Sequence, residues 1–274
     1  MGDRTCPLCR SSRVRPLFTK QQIDYWLCGA CSFRFATADV NPNLANALDD
    51  YEDAYLQYLQ RDAADEANFA ALHRWMSSFA PIGGTRLLDV GAGSGKLVRD
   101  LRRRGVDARG IEPSRALFDR FLANDEAFEM ATADAVRGTF DVVTAFDVIE
   151  HVADPHAFAE SIVARLAPDG VLFLSTPDVE SAVARMFGRH WHFYYPYHLS
   201  YFGPQTLGRL AADHGLTIVS VTHRGRLRSI GYVIRYAAEF VGGRSAPPWA
   251  RRFDARYLPI NLFDTMYVVL RRAT

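Results

Sequence analysis

Arg86-Leu-Leu-Asp-Val-Gly-Ala-Gly-Ser-Gly-Lys96 is the stretch that decides how this chain folds. It begins as a short apolar run with Asp89 near its end, the composition of a buried strand. Three glycines follow, Gly91, Gly93 and Gly95. Leu97, Val98 and Leu101 then recur at the spacing of the inner face of a helix. Glycines between a strand and a helix let the backbone turn sharply and let a ligand lie against bare main chain. The helix start adds unpaired N–H groups and a partial positive charge. The stretch reads as a nucleotide-binding turn. Its spacing is GxGxG, which is neither the GxGxxG of a dinucleotide fingerprint nor the GxxxxGK[ST] of a P-loop. Lys96 is followed by Leu97 and not by serine or threonine, which argues against a phosphate cradle.

Beyond the turn, strands alternate with helical segments as far as Thr176, the sign of right-handed βαβ units and a parallel sheet. The second strand, Asp107–Ile111, ends in Glu112, where a carboxylate can accept hydrogen bonds from both hydroxyls of a ribose. A third, near Phe128–Ala131, runs into Asp134-Ala135, where a carboxylate can accept from an adenine amino group. The fourth, Phe140–Phe146, leads into Asp147-Val-Ile-Glu150-His151, and the fifth, Val171–Thr176, follows Pro168-Asp-Gly170. Further on, Pro204 to about Asp213 reads as a helix ended by Gly215, Leu216–Thr222 as a sixth strand, Ser229–Val241 as a helix and Leu262–Leu270 as the last strand.

In their order, Asp89–Gly95, Glu112, Asp134, Phe146–His151 and Pro168-Asp-Gly170 resemble the motifs of class I S-adenosylmethionine-dependent methyltransferases. His198-Leu-Ser-Tyr-Phe202 with Thr206-Leu207 is similar to a bacterial branch of that family acting on small molecules. The resemblance covers residues 70 to 222 or so. It implies an α/β, Rossmann-like sheet of seven mostly parallel strands with the last antiparallel, and S-adenosyl-L-methionine as cofactor. It also implies roles. Asp89 orders the glycine turn, Gly91, Ala92 and Gly93 admit the methionine part, Glu112 holds the ribose, Asp134 with Ala135 the adenine, and Phe146 floors the methionine chain. A Rossmann-like dehydrogenase is the alternative to this reading.

Methyl transfer from a sulfonium asks the protein to align donor and acceptor and, where needed, to take a proton. His151 follows the fourth strand and titrates near neutral pH. In similar nucleotide-sugar methyltransferases a histidine in an equivalent Glu-His pair is the base; the alternative is that Glu150-His151 only shapes the helix entry. His198 and Tyr201 are second candidates. The segment after strand four lacks the Asn/Asp-Pro-Pro-Tyr pattern of enzymes that methylate base amines, which favours oxygen or carbon as acceptor without separating them. The expected acceptor is a small molecule: a sugar, a nucleotide-linked sugar or a secondary metabolite.

The four cysteines all lie near the N-terminus, as Cys6-Pro-Leu-Cys9, 18 intervening residues, and Cys28-Gly-Ala-Cys31. That is the spacing of a zinc ribbon, in which each pair forms a knuckle and four thiolates close a tetrahedral, structural shell. Disulfides are the alternative. About forty residues build too little core alone, so Zn2+ is expected to supply the stability. The reading divides the chain into a ribbon over 1–40, a helical linker or cofactor lid over 41–80, and a methyltransferase domain over 81–274 with an inserted segment near 225–260. Helices are expected over Leu44–Gln60 and Ala63–Phe79, with Tyr51, Tyr55 and Tyr58 on one face, as packing or as a lid over the sulfonium.

The aromatic run from Phe187 to Phe202 is read as a substrate wall, with a packed loop or a homodimer contact as the alternative. Arg224, Arg226 and Arg228 suit a phosphate on the acceptor, unless they are merely solvated. Net charge is +1, so no global field recruits nucleic acid; an RNA methyltransferase docking through a slightly basic ribbon is the second functional reading. With 49% hydrophobic residues, no signal-like leader and no apolar run of membrane length, the sequence predicts a cytoplasmic protein without a membrane span.

Overall fold

A computed structural model describes residues 4–37, 64–242 and 247–273. The N-terminal segment forms β1 (Val14–Lys20), β2 (Ile23–Cys28) and β3 (Arg34–Ala36). Helix α1 (Asp65–Ser77) precedes an alternating series: β4 (Arg86–Val90), α2 (Lys96–Arg103), β5 (Asp107–Ile111), α3 (Arg115–Phe121), β6 (Phe128–Glu129), β7 (Phe140–Phe146), α4 (Pro155–Arg165) and β8 (Leu166–Pro177). The remainder comprises α5 (Ala182–Phe187), β9 (Ser200–Tyr201), α6 (Pro204–Asp213), β10 (Leu216–His223), β11 (Arg226–Ser229), α7 (Ile230–Gly242), β12 (Tyr257–Ile260) and β13 (Thr265–Arg272).

Seven of these strands make one sheet in the order β10-β13-β8-β7-β4-β5-β6. Strands β4 to β8 run parallel, and β13 lies antiparallel between β8 and β10. The expected Rossmann-like sheet with its last strand reversed is therefore the observed one. Its inner strands are buried on both faces, which is why β7 and β8 read as nearly unbroken apolar runs. One face packs on α1 and α2 through Trp75, Met76, Val98 and Leu101; the other packs on α4 and α6 through Ile162, Leu207 and Leu210. Helix α4 begins where Asp154 accepts the backbone N–H of His156 and Ala157 and Pro155 occupies the first turn.

Several boundaries differ from the sequence reading. Strand β6 stops at Glu129, two residues short of Ala131. Strand β8 starts at Leu166, so Pro168-Asp-Gly170 lies within it. The register jumps there from Phe140↔Leu166 to Val142↔Val171, and the bulge accommodates a proline that has no N–H for the ladder. Strand β13 starts at Thr265 because Asn261 accepts the N–H of Phe263, whose φ is 55°, closing a turn first. In the segment near 225–260, β11 and β12 pair antiparallel, with α7 and a short 3-10 turn lying between them in the chain; Asn68 of α1 holds both the N–H and the carbonyl of Leu227. The expected helix over Leu44–Gln60 and its tyrosines lie outside the described residues, and the one over Ala63–Phe79 is α1.

The ribbon does not stand apart. Its sheet gains β9 as a fourth strand, with Arg34 opposite Tyr201 and Phe35 opposite Ser200. Tyr25 of the ribbon is buried with Trp191, Tyr194 and Tyr201 of the aromatic run, and the Phe33 ring lies tilted 5.0 Å from that of Phe202. Lys20 donates to the Tyr194 carbonyl at 2.7 Å, and Arg34 to the Tyr194 hydroxyl at 2.8 Å. On the other side His156 Nε2 donates to the Leu8 carbonyl at 2.7 Å. Metal alone is thus not what steadies this segment: each buried large side chain adds about 1.5–3 kcal/mol of hydrophobic stabilisation.

The glycine turn is as tight as its spacing suggests. Gly95 caps α2 at φ +74°, and a Cβ there would lie 2.6 Å from Phe128 Cζ and 2.7 Å from Leu122 Cδ2. Gly95→Ala is expected to cost about 1–2 kcal/mol for the left-handed backbone and about 1–3 kcal/mol for overpacking. A urea midpoint no lower than wild type would contradict this packing.

Candidate active site

The C-terminal ends of β4, β5 and β7 bring the sequence-picked residues to one edge of the sheet, where open α/β folds hold ligands. Asp89 is 5% exposed and accepts the Thr144 hydroxyl at 2.6 Å; burial pushes its pKa up to about 7 against that hydrogen bond. Gly91 and Ala92 both donate to the Ile111 carbonyl at 2.9 Å, which folds the turn back over β5. A Cβ at Gly91 would lie 2.6 Å from Val148 Cγ2, so this turn and the segment after β7 touch.

Glu112 is the buried acid at the tip of β5. Its Oε2 accepts the Gly93 N–H at 2.8 Å and its Oε1 the Ser114 N–H at 2.9 Å; burial raises its pKa and those two donors oppose the rise. Each carboxylate oxygen has a second lone pair, so one acceptor site per oxygen is left over. Two acceptors fixed side by side against a glycine turn match a vicinal diol. Asp134 and Ala135 lie exposed beyond β6, with the Thr132 hydroxyl holding the Asp134 carboxyl low. Phe146 is half-buried at the end of β7, its ring 6.0 Å from that of Tyr267.

Directly after β7 the backbone of Asp147 takes φ +56°. Ser175 accepts its N–H and donates its hydroxyl to Oδ1 at 2.5 Å, and Arg226 donates to Oδ2 at 2.9 Å. Burial pushes the Asp147 carboxyl up, but the Arg226 guanidinium and Ser175 outweigh it and hold it below its ordinary value. A short 3-10 turn over Ile149–His151 follows. Glu150 is 2% exposed; burial and the neighbouring Asp147 charge push its pKa well up. His151 is accessible to solvent yet crowded by protein, as in a cleft, and its Nδ1 lies 3.0 Å from the Tyr197 carbonyl. His198 is buried, with Nδ1 3.0 Å from the Phe193 carbonyl and its ring 4.8 Å from that of His151. Burial lowers the pKa of both imidazoles, that of His198 further because His151 stands beside it.

The aromatic run divides in two. Trp191, Tyr194, Tyr201 and Phe202 are buried against the ribbon and do not face a cleft, which corrects the reading of the whole run as a substrate wall. The Tyr201 hydroxyl is committed to the His198 carbonyl at 2.8 Å, within an aromatic cluster that pushes its pKa well up by burial. Phe193, Tyr195 and Tyr197 stay half-buried around His198 and His151. The arginines are also spoken for. Arg226 bonds Asp147 and the Tyr267 hydroxyl, Arg224 bonds the Ala71 carbonyl and covers Trp75, and Arg228 covers Tyr232. The expected phosphate clamp is instead a set of internal contacts. Sequence reading missed Thr144, Ser175 and Asp147 as partners in the site; only their positions on or just past β7 and β8 mark them.

Among the ribbon residues, Cys6 Sγ lies 3.7 Å from Cys31 Sγ, and Cys9 Sγ 3.5 Å from Cys28 Sγ, with all four sulfurs within 4.8 Å of one another. A disulfide would need about 2.05 Å. A tetrahedral shell with bonds of about 2.3 Å has edges of about 3.8 Å, which these separations match. Burial pushes the Cys6 thiol up to about 11; the Cys28 thiol, although burial raises it too, is drawn down to about 7 by backbone N–H groups such as that of Ala30, 3.3 Å away. Among the described residues no helix is long and apolar enough to cross a membrane.

Comparison with known proteins agrees with this geometry. A family model described as a methyltransferase domain matches residues 54–221, more than half of the chain. The ubiquinone biosynthesis O-methyltransferase of Ralstonia nicotianae is 38% identical over 112 residues, 37% of this chain and 47% of that protein. Its counterpart in Methylococcus capsulatus is 28% identical over 180 residues, 58% of this chain and 72% of that protein. The chain spans about half the length of the curated relatives it matches first. Among solved structures, the Haloferax volcanii complex of the Trm112 methyltransferase activator with a methyltransferase superposes with a TM-score of 0.55 at 20% identity, over 81% of this chain and 97% of that one. Magnesium protoporphyrin IX methyltransferase from Synechocystis, with bound S-adenosylhomocysteine, superposes with a TM-score of 0.50 at 14% identity, over 77% and 84%. At such identities these two likenesses speak for the fold.

Proposed function

The chain belongs to the class I S-adenosylmethionine-dependent methyltransferases, and from that membership we propose that it transfers a methyl group from S-adenosyl-L-methionine to an oxygen of a small molecule. The observation that carries the reading is Glu112, whose two spare acceptor sites stand against the GxGxG turn one loop away from an imidazole cleft. The named function of the curated relatives favours oxygen over carbon. When bound, the cofactor supplies a methyl group activated by a sulfonium.

The chain's own residues supply the rest. Glu112 takes the ribose diol, Gly91, Ala92 and Gly93 give way to the methionine part, Asp134 and Ala135 border the adenine, and Asp89 with Thr144 keeps the turn in shape. Glu150, His151 and His198 form the side of the cleft where the acceptor's proton is removed, and His151 is the member open to solvent. Tyr201 takes no proton in this scheme; it steadies the loop that carries His198. The half-buried Phe193, Tyr195 and Tyr197 border the acceptor. The four cysteines fit structural Zn2+, and the ribbon braces the acceptor side, since its aromatic face is turned inward on the loop and not outward toward RNA.

Glu112→Ala is expected to weaken S-adenosylhomocysteine binding by about 10²–10⁴-fold. This follows from the loss of hydrogen bonds to a charged group, at about 1.5–3 kcal/mol each. Calorimetry reads it directly, and an unaltered dissociation constant would take Glu112 out of the site. Labelled cofactor incubated with dihydroxy-aromatic and sugar acceptors tests the reaction itself; no transfer to any of them would speak against the oxygen reading.

A further inference from the structure

Arg226 belongs to the inserted segment, yet its guanidinium reaches back to the chain just past β7. Its Nη2 donates to Asp147 Oδ2 at 2.9 Å, and its Nε donates to the Tyr267 hydroxyl at 2.7 Å. The strand that carries it is fastened too. Asn68 of α1 accepts the Leu227 N–H at 2.8 Å and donates to the Leu227 carbonyl at 3.1 Å, while Arg224 donates to the Ala71 carbonyl at 3.0 Å. An ion pair whose side chains are 33% and 42% exposed contributes little when both ends are free to move. Here the guanidinium is already fixed by its strand and by Tyr267, so the pair forms with little further loss of entropy.

The residue at the other end is the one that needs support. Asp147 sits at φ +56°, a left-handed backbone disfavoured for any residue with a Cβ. Ser175 holds it from one side: its carbonyl and its hydroxyl oxygen each accept the Asp147 N–H at 3.0 Å, and its hydroxyl donates to Oδ1. Arg226 holds the remaining oxygen. This conformation decides how the chain leaves β7. Val148 comes next, so close to the glycine turn that a Cβ on Gly91 would lie 2.6 Å from its Cγ2. The 3-10 turn over Ile149–His151 follows, closed by the His151 N–H on the Val148 carbonyl at 2.9 Å. We infer that Arg226 is a positioning residue: through Asp147 it sets the turn that seats Val148 on the glycine loop and His151 in the cleft. The inserted segment is then a strap, tied to α1 at one point and to the end of β7 at the next. Its consequence for the reaction rests on the methyl-transfer reading.

Calorimetry with S-adenosylhomocysteine and amide hydrogen exchange over residues 147–151, both on the full chain, test the role. Arg226→Ala is expected to weaken binding about 10-fold, the size of the left-handed penalty it helps Asp147 to meet. Exchange across the turn should quicken by a similar factor. Asp147→Ala keeps the Cβ and discards the handle, so it should lose as much affinity. Asp147→Gly should recover most of that loss, because glycine takes the left-handed conformation unaided. In an Asp147→Gly background, Arg226→Ala should change the affinity by less than about twofold, since the residue it acts through is gone. Should Arg226→Ala alter the circular dichroism spectrum, Arg226→Lys, which keeps the charge but not the fork, takes its place. Wild-type affinity and exchange in the folded variant would overturn the assignment, and so would an undiminished loss in the Asp147→Gly background. Faster exchange on Arg226→Ala, abolished in that background, in a chain that binds no S-adenosylhomocysteine would sustain the positioning role and defeat the methyl-transfer reading.

Discussion

Cys9→Ser is expected to release zinc from the N-terminal ribbon and to unfasten the aromatic cluster beneath it. Structural zinc in small finger peptides contributes about 10–16 kcal/mol of apparent binding free energy at neutral pH, and that energy is folding energy. Removing one of four thiolates forfeits much of it. The ribbon buries Tyr25, Phe33 and Phe35 against the rest of the chain, so the loss is not confined to the knuckles. A change of 1 kcal/mol moves the melting temperature of a chain this size by about 2–4 °C, so a loss of even a few kcal/mol shifts it by about 10 °C. Zinc content by atomic absorption and a thermal melt check both halves. Full zinc content with an unshifted melt would remove the metal from the ribbon.

His151→Ala is expected to lower kcat by about 10²–10⁴-fold, or about 3–5 kcal/mol at the barrier, the usual worth of a group that manages a proton in the transition state. S-adenosylhomocysteine affinity should stay within about twofold of wild type, because among the described residues the His151 ring meets the Tyr197 carbonyl and the His198 ring and not the residues assigned to the cofactor. The separation of the two readouts is the point of the experiment. A variant with normal turnover would move proton removal elsewhere in the cleft. A variant that lost cofactor affinity as well would mean that the 3-10 turn after β7 had collapsed onto the glycine turn, which it touches through Val148.

Much of the catalytic domain was legible because its signals are local. A strand, a glycine turn and a helix occupy consecutive residues, and the acids at the strand tips fall where strands end, so Asp89, Glu112 and the run from Phe146 to His151 could be read off in order. The mostly parallel sheet with a reversed last strand followed from the family resemblance those signals carried. What escaped was nonlocal. Nothing in Ser200-Tyr201 announces that it pairs with Arg34-Phe35, and an aromatic side chain looks alike whether it lines a cleft or fills a core. Phe193 and Tyr194 are neighbours in sequence, yet one edges His198 and the other is buried beneath the ribbon. Arg226 likewise looked like a ligand for phosphate until Asp147 was seen beside it. Thr144 and Ser175 are small hydroxyls inside apolar strands, and their use depends on which strands lie next to each other.

The pairing of β3 with β9 has a consequence for how the protein is made. Phe35 meets Ser200, 165 residues later in the chain. At translation rates of about 5–20 residues per second, roughly 10–30 s separate the emergence of the two from the ribosome. Throughout that interval the ribbon displays a sheet edge and a tyrosine-lined face with nothing yet synthesised to cover them. A nascent chain stalled before residue 200 should therefore attract chaperones at the ribbon, and one stalled well after it should not.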